Sequence, residues 1–119
     1  MKILNSVLAA VGAVAISLGS IGDGFAAEPI VGTWKRASGA IIQYSGSGAR
    51  FCGKVMNGKY KGKSIGCLSG KGGTYKGKVN KLDEGKTYMG KASVSGNTLK
   101  LAGCVFGGLI CKSENLKRQ

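Results

Sequence analysis

Residues 103–111 read Gly-Cys-Val-Phe-Gly-Gly-Leu-Ile-Cys, and this stretch decides the fold because two apolar runs flank a glycine pair. The pair Gly107-Gly108 can take the positive φ angles that a tight two-residue hairpin turn requires. Such a turn sets Cys104 opposite Cys111, close enough for a disulfide. The stretch therefore predicts an antiparallel sheet in a protein that folds in an oxidising compartment.

Apolar runs of similar length continue from this hairpin towards the start of the chain, separated by turn signals such as Asn57-Gly58 and Gly96-Asn97. Evenly spaced strands with short polar turns, and no convincing helix, are typical of a meander that closes into a barrel. We therefore expect an all-β fold, a small up-and-down antiparallel β-barrel of about eight strands. The candidate strands are residues 30–36, 40–45, 49–56, 62–68, 73–80, 86–94, 97–106 and 109–118.

A short pattern, aromatic residue, any residue, Gly, Lys, recurs four times in the middle of the chain. On a strand, the aromatic residue and the glycine lie on one face and the lysine lies on the other. A glycine on the inner face leaves room for an aromatic ring from a neighbouring strand, while the lysines cover the outside. The four copies are residues 51–54, 60–63, 75–78 and 88–91.

Residues 1–27 have the features of a cleaved signal peptide. Lys2 supplies the positive start, residues 3–16 are largely apolar, and residues 24–27 offer small side chains for cleavage. The apolar run is too short and interrupted to predict a transmembrane span. We therefore expect an exported protein, periplasmic or secreted, with a single β-barrel domain over residues 28–119.

The composition favours anionic partners and argues against catalysis. The chain has 18 Lys and Arg against 5 Asp and Glu, with a net charge of +13 at pH 7 and no histidine. Without histidine, a hydrolytic triad or an imidazole general base is impossible, and the clustered ligands of zinc and calcium sites are missing. We expect a protein that is not an enzyme and holds no metal or cofactor. Export also removes the usual nucleic-acid targets, so specific nucleic-acid binding is not expected.

Four cysteines in a short exported chain predict disulfides rather than metal ligands. Cys104 with Cys111 is the preferred pair, although a two-residue turn puts them at a hydrogen-bonded position, where the Cα atoms are farther apart. Cys52 and Cys67 then remain. A tight turn at residues 57–58 would not set these two opposite each other, so the second bridge requires a longer loop or a bulge.

The last predicted strand raises the question of a polar site inside the barrel. If Val105 and Ile110 point inwards, alternation carries Lys112 and Glu114 inwards too, and Glu114 could supply the partner that a buried lysine requires. Alternatively, a bulge flips the strand and both charged side chains reach solvent. In the first case they form a charged spot beside an apolar and aromatic cavity lining. The candidates for that lining are Tyr75, Tyr88, Leu99 and Leu101.

The order of several short motifs resembles that of a known bacterial family. Gly-Thr-Trp at residues 32–34 opens the predicted domain, Gly-Lys-Thr-Tyr at 85–88 follows an acidic turn, and Leu-Lys-Leu-Ala-Gly at 99–103 comes next. This arrangement is similar to that of the exported bacterial proteins of domain of unknown function 2147 (DUF2147). The resemblance implies a lipocalin-like, calycin-type barrel, in which Trp34 on the first strand packs beside Arg118 on the last and closes the barrel end.

The sequence leaves two functional hypotheses and an open oligomeric state. In the first, the protein is a binding module that holds a small apolar or amphipathic, lipid-like ligand in the barrel mouth. In the alternative, it is an envelope or secreted interaction protein that binds an anionic polymer, lipid head groups or a host partner through its lysine-rich outer face. The lysines considered for that face are Lys54, Lys61, Lys63, Lys76, Lys78 and Lys91.

Overall fold

The computed structural model describes residues 27–119, in which eight antiparallel strands pair in chain order and the last strand pairs with the first. The prediction of an all-β, up-and-down barrel is confirmed. The predicted signal peptide lies outside the described residues except for Ala27. In the described part of the chain, no helix is long and apolar enough to cross a membrane. The strands are β1 (Gly32–Lys35), β2 (Ile41–Ser47), β3 (Arg50–Val55), β4 (Ser64–Lys71), β5 (Thr74–Lys81), β6 (Lys86–Ser95), β7 (Thr98–Val105) and β8 (Ile110–Arg118).

A short seam between β1 and β8 closes the barrel, and only two residue pairs are in register there, beginning with Trp34 and Arg118. The Arg118 guanidinium stacks on the Trp34 ring, 4.2 Å from its centre. It also donates hydrogen bonds to the carbonyl oxygens of Pro29 and Val31, while the Trp34 indole N–H donates to the Ile30 carbonyl at 2.9 Å. Side chains thus reinforce a seam that has little backbone pairing.

The β7–β8 hairpin keeps the predicted strand pairing but has a longer turn than predicted. Cys104 lies opposite Cys111, and the two form a disulfide. Pairing stops after the next position, so residues 106–109 form a four-residue loop, with Gly107 at φ 68° and Gly108 at φ 94°. The cysteine Cα atoms are 4.1 Å apart, the closer spacing of a non-hydrogen-bonded pair. The expectation of a hydrogen-bonded pair was wrong because it assumed a two-residue turn.

The second disulfide joins Cys52 on β3 with Cys67 on β4. The sequence requires a longer loop or a bulge for this bridge, and the structure has both. Residues 56–63 form a long connection instead of a tight turn, and the β3–β4 register skips Ile65 next to Gly53. The two cysteines consequently lie directly opposite each other in the ladder.

Large apolar side chains fill the end of the barrel where β1 begins and β8 ends, which we call the closed end. Trp34, Leu99 and Leu116 have no exposed surface. The rings of Phe51 and Tyr75 meet edge to face, with their centres 5.6 Å apart. Burying each such side chain stabilises the fold by about 1.5–3 kcal/mol, so the hydrophobic core is concentrated at this end.

The recurring glycine pattern has the predicted alternation in three of its four copies. On β3, β5 and β6 the aromatic residue and the glycine face inwards and the lysine is exposed, whereas the copy at residues 60–63 lies in the β3–β4 connection. A Cβ on Gly53 would lie 2.9 Å from the ring of Tyr44 on β2, so this glycine does leave room for an aromatic ring. A Cβ on Gly77 would instead collide with the backbone carbonyl of Cys67.

Gly77→Ala should destabilise the barrel by about 1–3 kcal/mol, because the new methyl group meets backbone that cannot move aside without distorting β4 and β5. Gly103→Ala is the matched control, since it also adds a methyl group to the inner face of a strand, but its nearest neighbour would be Tyr88 at 3.6 Å. Urea unfolding measures both free energies of unfolding. Equal stability of the two variants would contradict the close β4–β5 approach.

Candidate functional site

The barrel end opposite the Trp34–Arg118 closure is open and contains a cavity of about 960 Å³. The connections β1–β2, β3–β4 and β5–β6 form its rim together with the β7–β8 hairpin. Asn57 ties two of these connections together. Its side-chain oxygen accepts a hydrogen bond from the Ile41 N–H at 2.8 Å, and its amide group donates to the Gly39 carbonyl at 3.2 Å. The cavity has a size typical of small-molecule sites.

Apolar side chains form the deeper wall of the cavity. Val55, Ile65, Val79 and Leu101 line it, and each has less than a tenth of its surface exposed. They come from four different strands, β3, β4, β5 and β7, so the apolar lining surrounds much of the interior. The inner part of the cavity therefore suits a hydrocarbon or aromatic group.

A paired arginine and glutamate lie at the cavity rim. Arg36 donates to both carboxylate oxygens of Glu114, from Nε at 3.1 Å and from Nη2 at 2.8 Å. Two parallel bonds of this kind hold a carboxylate in a fixed orientation. Arg36 follows the end of β1, whereas Glu114 lies on β8 beyond the paired part of the seam. The ion pair thus bridges the wall where β1 and β8 are no longer hydrogen-bonded.

Lys112 also faces the cavity. The β7–β8 register runs without a break from Thr98 to Val105, so the alternative in which a bulge turns this strand over is wrong. Both Lys112 and Glu114 line the cavity, yet Lys112 remains exposed because it lies at the open mouth. The expected partnership between these two residues is also absent, since Arg36 occupies Glu114. Lys112 takes part in none of the salt bridges between described residues.

On the opposite side of the rim, Tyr88 and Lys81 hold Glu84. The Tyr88 hydroxyl donates to Glu84 Oε1 at 2.6 Å, and Lys81 Nζ lies 3.2 Å from Oε2. The hydrogen bond from Tyr88, followed by that from Lys81, lowers the pKa of Glu84, and the same bond raises the pKa of Tyr88. These contacts fix the Tyr88 ring as part of the cavity wall.

Tyr44 carries a buried hydroxyl that has no hydrogen-bond partner among the described residues. Only 1% of Tyr44 is exposed, and its ring lies against the Gly53 position, as does Ile65 of the cavity wall. Burial raises the pKa of Tyr44, and the negative charge of Glu114 raises it further. Tyr44 does not line the cavity itself, but its ring lies beside Ile65, which does.

Two of the predicted cavity residues belong to the closed end instead. Leu99 is buried opposite Leu116, and the Tyr75 hydroxyl donates to Glu28 at 2.9 Å. Burial, together with this hydrogen bond, raises the pKa of Tyr75. The prediction failed for these two because alternation gives the face of a strand but not the depth along the barrel. The predicted residues that do line the cavity are Tyr88, Leu101, Lys112 and Glu114.

The lysines proposed for the outer face fall into two groups. Lys61 and Lys63 lie in the β3–β4 connection at the open end, so their assignment to the outer face of the sheet is wrong. The glycine pattern predicts a strand in all four copies, but residues 60–63 lie outside the strands. The lysines that are exposed on strands are Lys54, Lys76, Lys78 and Lys91.

A shallow groove of about 470 Å³ lies on the outside of β5–β8, and we call it the outer groove. Lys76, Lys91 and Lys100 line it, without any acidic side chain. Lys76 and Lys91 are direct cross-strand neighbours. Like charges in that position destabilise a sheet, so a bound anion would relieve their repulsion.

Sequence reasoning missed Arg36 and Tyr44. Arg36 meets Glu114 across 78 positions of sequence, and no local pattern reveals such a pair. For Tyr44 a signal was available, because it alternates with Ile42 in the second apolar run and therefore faces inwards. Its missing hydrogen-bond partner, however, depends on the packing of four strands and could not be read from that alternation.

Comparison with known proteins agrees with the resemblance found in the sequence. Residues 65–118 match the family model described as an uncharacterized protein conserved in bacteria, DUF2147. The match covers nearly all of β4 and the whole of β5–β8, and with it the inward-facing Lys112 and Glu114. No curated protein and no solved structure matches the chain.

Tyr44→Phe should stabilise the protein by about 1 kcal/mol at neutral pH, because it removes a buried hydroxyl that lacks a partner. The folded-state pKa of Tyr44 is raised above the unfolded value, so the wild type should lose stability as the pH rises above about 10. The variant should lose less. Urea unfolding across this pH range measures both effects.

Tyr75→Phe is the matched control, because Tyr75 is also 1% exposed but its hydroxyl donates to Glu28 and accepts from the Gly73 N–H. Losing these bonds should cost about 1–2 kcal/mol at neutral pH. If Tyr44→Phe were as destabilising as Tyr75→Phe, the hydroxyl of Tyr44 would have a partner after all.

Proposed function

We propose that this barrel, which matches DUF2147 over β4–β8, is an exported, non-enzymatic binding module for a small amphipathic molecule. The observation that carries the proposal is the open-end cavity of about 960 Å³, which is apolar inside and charged at its rim. Small barrels that serve only as scaffolds fill their interior with side chains. Here the closed end is filled in that way and the open end is not.

The lining indicates the chemistry of the ligand. Val79 and Leu101 suit an apolar group, while Lys112 offers a positive charge at the mouth. The ligand best suited to these features has a hydrocarbon or aromatic body and one anionic group.

The compartment is part of the proposal. The Cys52–Cys67 and Cys104–Cys111 disulfides are compatible with an exported protein, because disulfides persist in oxidising compartments. Periplasmic and secreted locations both meet this condition. An amphipathic molecule would need a carrier in either place, since its apolar part is poorly soluble in water.

The outer groove supports a second candidate function, the binding of an anionic polymer. Its lysines lie on three neighbouring strands, and the Lys76–Lys91 pair is electrostatically unfavourable without a counterion. The net charge of +13 would strengthen attraction to any polyanion at low salt. Extended anionic chains such as cell-wall or lipopolysaccharide polymers have the required chemistry.

Binding of the amphipathic anion 8-anilinonaphthalene-1-sulfonate should test the cavity. The wild type should enhance its fluorescence, and Lys112→Gln should weaken binding on the order of fivefold, the effect of removing one partly exposed charge. Lys117→Gln is the matched control, since it removes the same charge from the same strand but does not line the cavity.

Equal affinity of the two variants, or no binding by the wild type, would count against the cavity as the site. In a separate experiment, mass spectrometry of organic extracts from protein purified after expression of the full chain would identify any natural ligand. An amphipathic anion should be recovered from the wild type in larger amounts than from Lys112→Gln.

Retention on immobilised heparin should test the outer groove. The double variant Lys76→Gln/Lys100→Gln should elute at clearly lower salt than the wild type, because it removes two of the three groove charges. Lys61→Gln/Lys63→Gln has the same charge loss in the β3–β4 connection and should elute close to the wild type. Equal shifts for the two double variants would assign retention to net charge alone.

A further inference from the structure

The exposed large apolar side chains of the described residues are all at the open end of the barrel. Phe106 is 76% exposed and Leu109 is 84% exposed, both in the loop of the β7–β8 hairpin. Val105 and Ile110 flank this loop, and Met89 on β6 lies beneath it, 3.4 Å from where a Cβ on Gly108 would be. We call these five residues and the loop glycines the apolar tip.

Phe106 has an unfavourable backbone conformation. Its φ of 53° is the only positive value at a non-glycine residue in the described part of the chain. A bulky side chain is costly there, whereas glycine or asparagine would be tolerated. Since Phe106 is also mostly exposed, it gains little from the core. A costly, exposed aromatic residue indicates a role outside folding.

Three lysines surround the apolar tip. Lys91 Nζ lies 3.6 Å from the Cβ position of Gly108, Lys78 is opposite Met89 across β5 and β6, and Lys112 follows the tip on β8. None of the three forms a salt bridge with a described residue. Two of the three acidic groups of the rim do not neutralise them, because Arg36 holds Glu114 and Lys81 holds Glu84. Asp83 is the remaining rim acid.

We propose that the open end docks on an anionic lipid bilayer, with Phe106 and Leu109 inserted among the lipid head groups. Apolar side chains gain free energy in the acyl boundary, and lysines beside them gain from lipid phosphates. The size of the exposed loop favours a fluid surface over a protein partner. The most exposed apolar residues, Phe106 and Leu109, come from one four-residue hairpin loop, which is small against the roughly 800 Å² per partner of a typical protein interface.

Docking in this orientation would turn the cavity mouth towards the membrane. The tip adjoins the mouth, because Val105 and Ile110 belong to both the apolar tip and the cavity lining. An amphipathic molecule could then pass between bilayer and cavity without crossing bulk water. The docking itself does not depend on the proposed ligand, and the vesicle experiment tests it separately.

Sedimentation with vesicles tests the proposal, using equal amounts of phosphatidylglycerol and phosphatidylcholine or phosphatidylcholine alone. The wild type should bind the anionic vesicles more tightly than the neutral ones. The variant Phe106→Asn/Leu109→Gln should lose on the order of a hundredfold in affinity, as expected for two apolar side chains. Asparagine also adopts a positive φ at lower cost than phenylalanine, so the variant should be at least as stable as the wild type.

Two double variants distinguish attraction by the lysines beside the apolar tip from attraction by the overall positive charge of the protein. Lys78→Gln/Lys91→Gln should weaken binding to anionic vesicles by roughly tenfold, whereas Lys71→Gln/Lys117→Gln, at the closed end, should have little effect. Leu109→Trp adds a direct reading of insertion, because its emission should shift to the blue on anionic vesicles.

Several outcomes would overturn the proposal. One is undiminished vesicle binding by Phe106→Asn/Leu109→Gln, which would mean that charge alone attracts the protein. Another is equal loss of affinity in the two lysine variants. A third is a dimer in sedimentation equilibrium that Leu109→Gln abolishes, which would assign the apolar tip to a second copy of the chain.

Discussion

Closure of the sheet is the constraint on which the rest of the molecule depends, and very little backbone provides it. The β1–β8 seam has two residue pairs, whereas β7 and β8 are paired over eight positions. Arg118 and Trp34 reinforce the seam at the closed end, and Arg36 with Glu114 spans it at the open end. Both contacts use a guanidinium, whose planar shape allows stacking on a ring in one case and a paired bond to a carboxylate in the other.

The filled closed end and the hollow open end of the barrel differ in the size and polarity of the side chains that single strands point inwards. On β7 the inward-facing positions change from Leu99 and Leu101 to Gly103 towards the mouth, and on β8 Leu116 gives way to the charged Glu114 and Lys112 in the same direction. These positions are smaller or more polar than those of the closed end, although the apolar Val105 and Ile110 follow them at the mouth. The cavity thus follows from the order of residues on the inner faces of β7 and β8, which pair without a break in register.

Much of the architecture could be predicted from the sequence, because it depends on local rules. Period-two alternation and turn residues give the eight strands, but they leave open whether Lys112 points inwards. The site could be predicted only in part, because it depends on distances across the barrel. Alternation could not separate Tyr75, deep in the closed end, from Tyr88 at the rim, and it could not pair Arg36 with Glu114. Loop length was hidden in the β7–β8 hairpin, where Gly107-Gly108 predicts a two-residue turn but the loop spans residues 106–109.

The two disulfides support the barrel locally, and neither of them spans the β1–β8 seam. Both bridges lie within single hairpins and span 15 and 7 positions of sequence, while Arg118 reaches Val31 across 87 positions without any covalent link. Closure of the barrel between β1 and β8 is therefore noncovalent. If the seam opens, both cross-linked hairpins persist and β1 and β8 become free edges, the form from which strands are exchanged between copies of a chain. The Cys104–Cys111 bridge would keep β8 attached to β7 in that form, whereas neither disulfide holds β1, so β1 is the strand free to exchange.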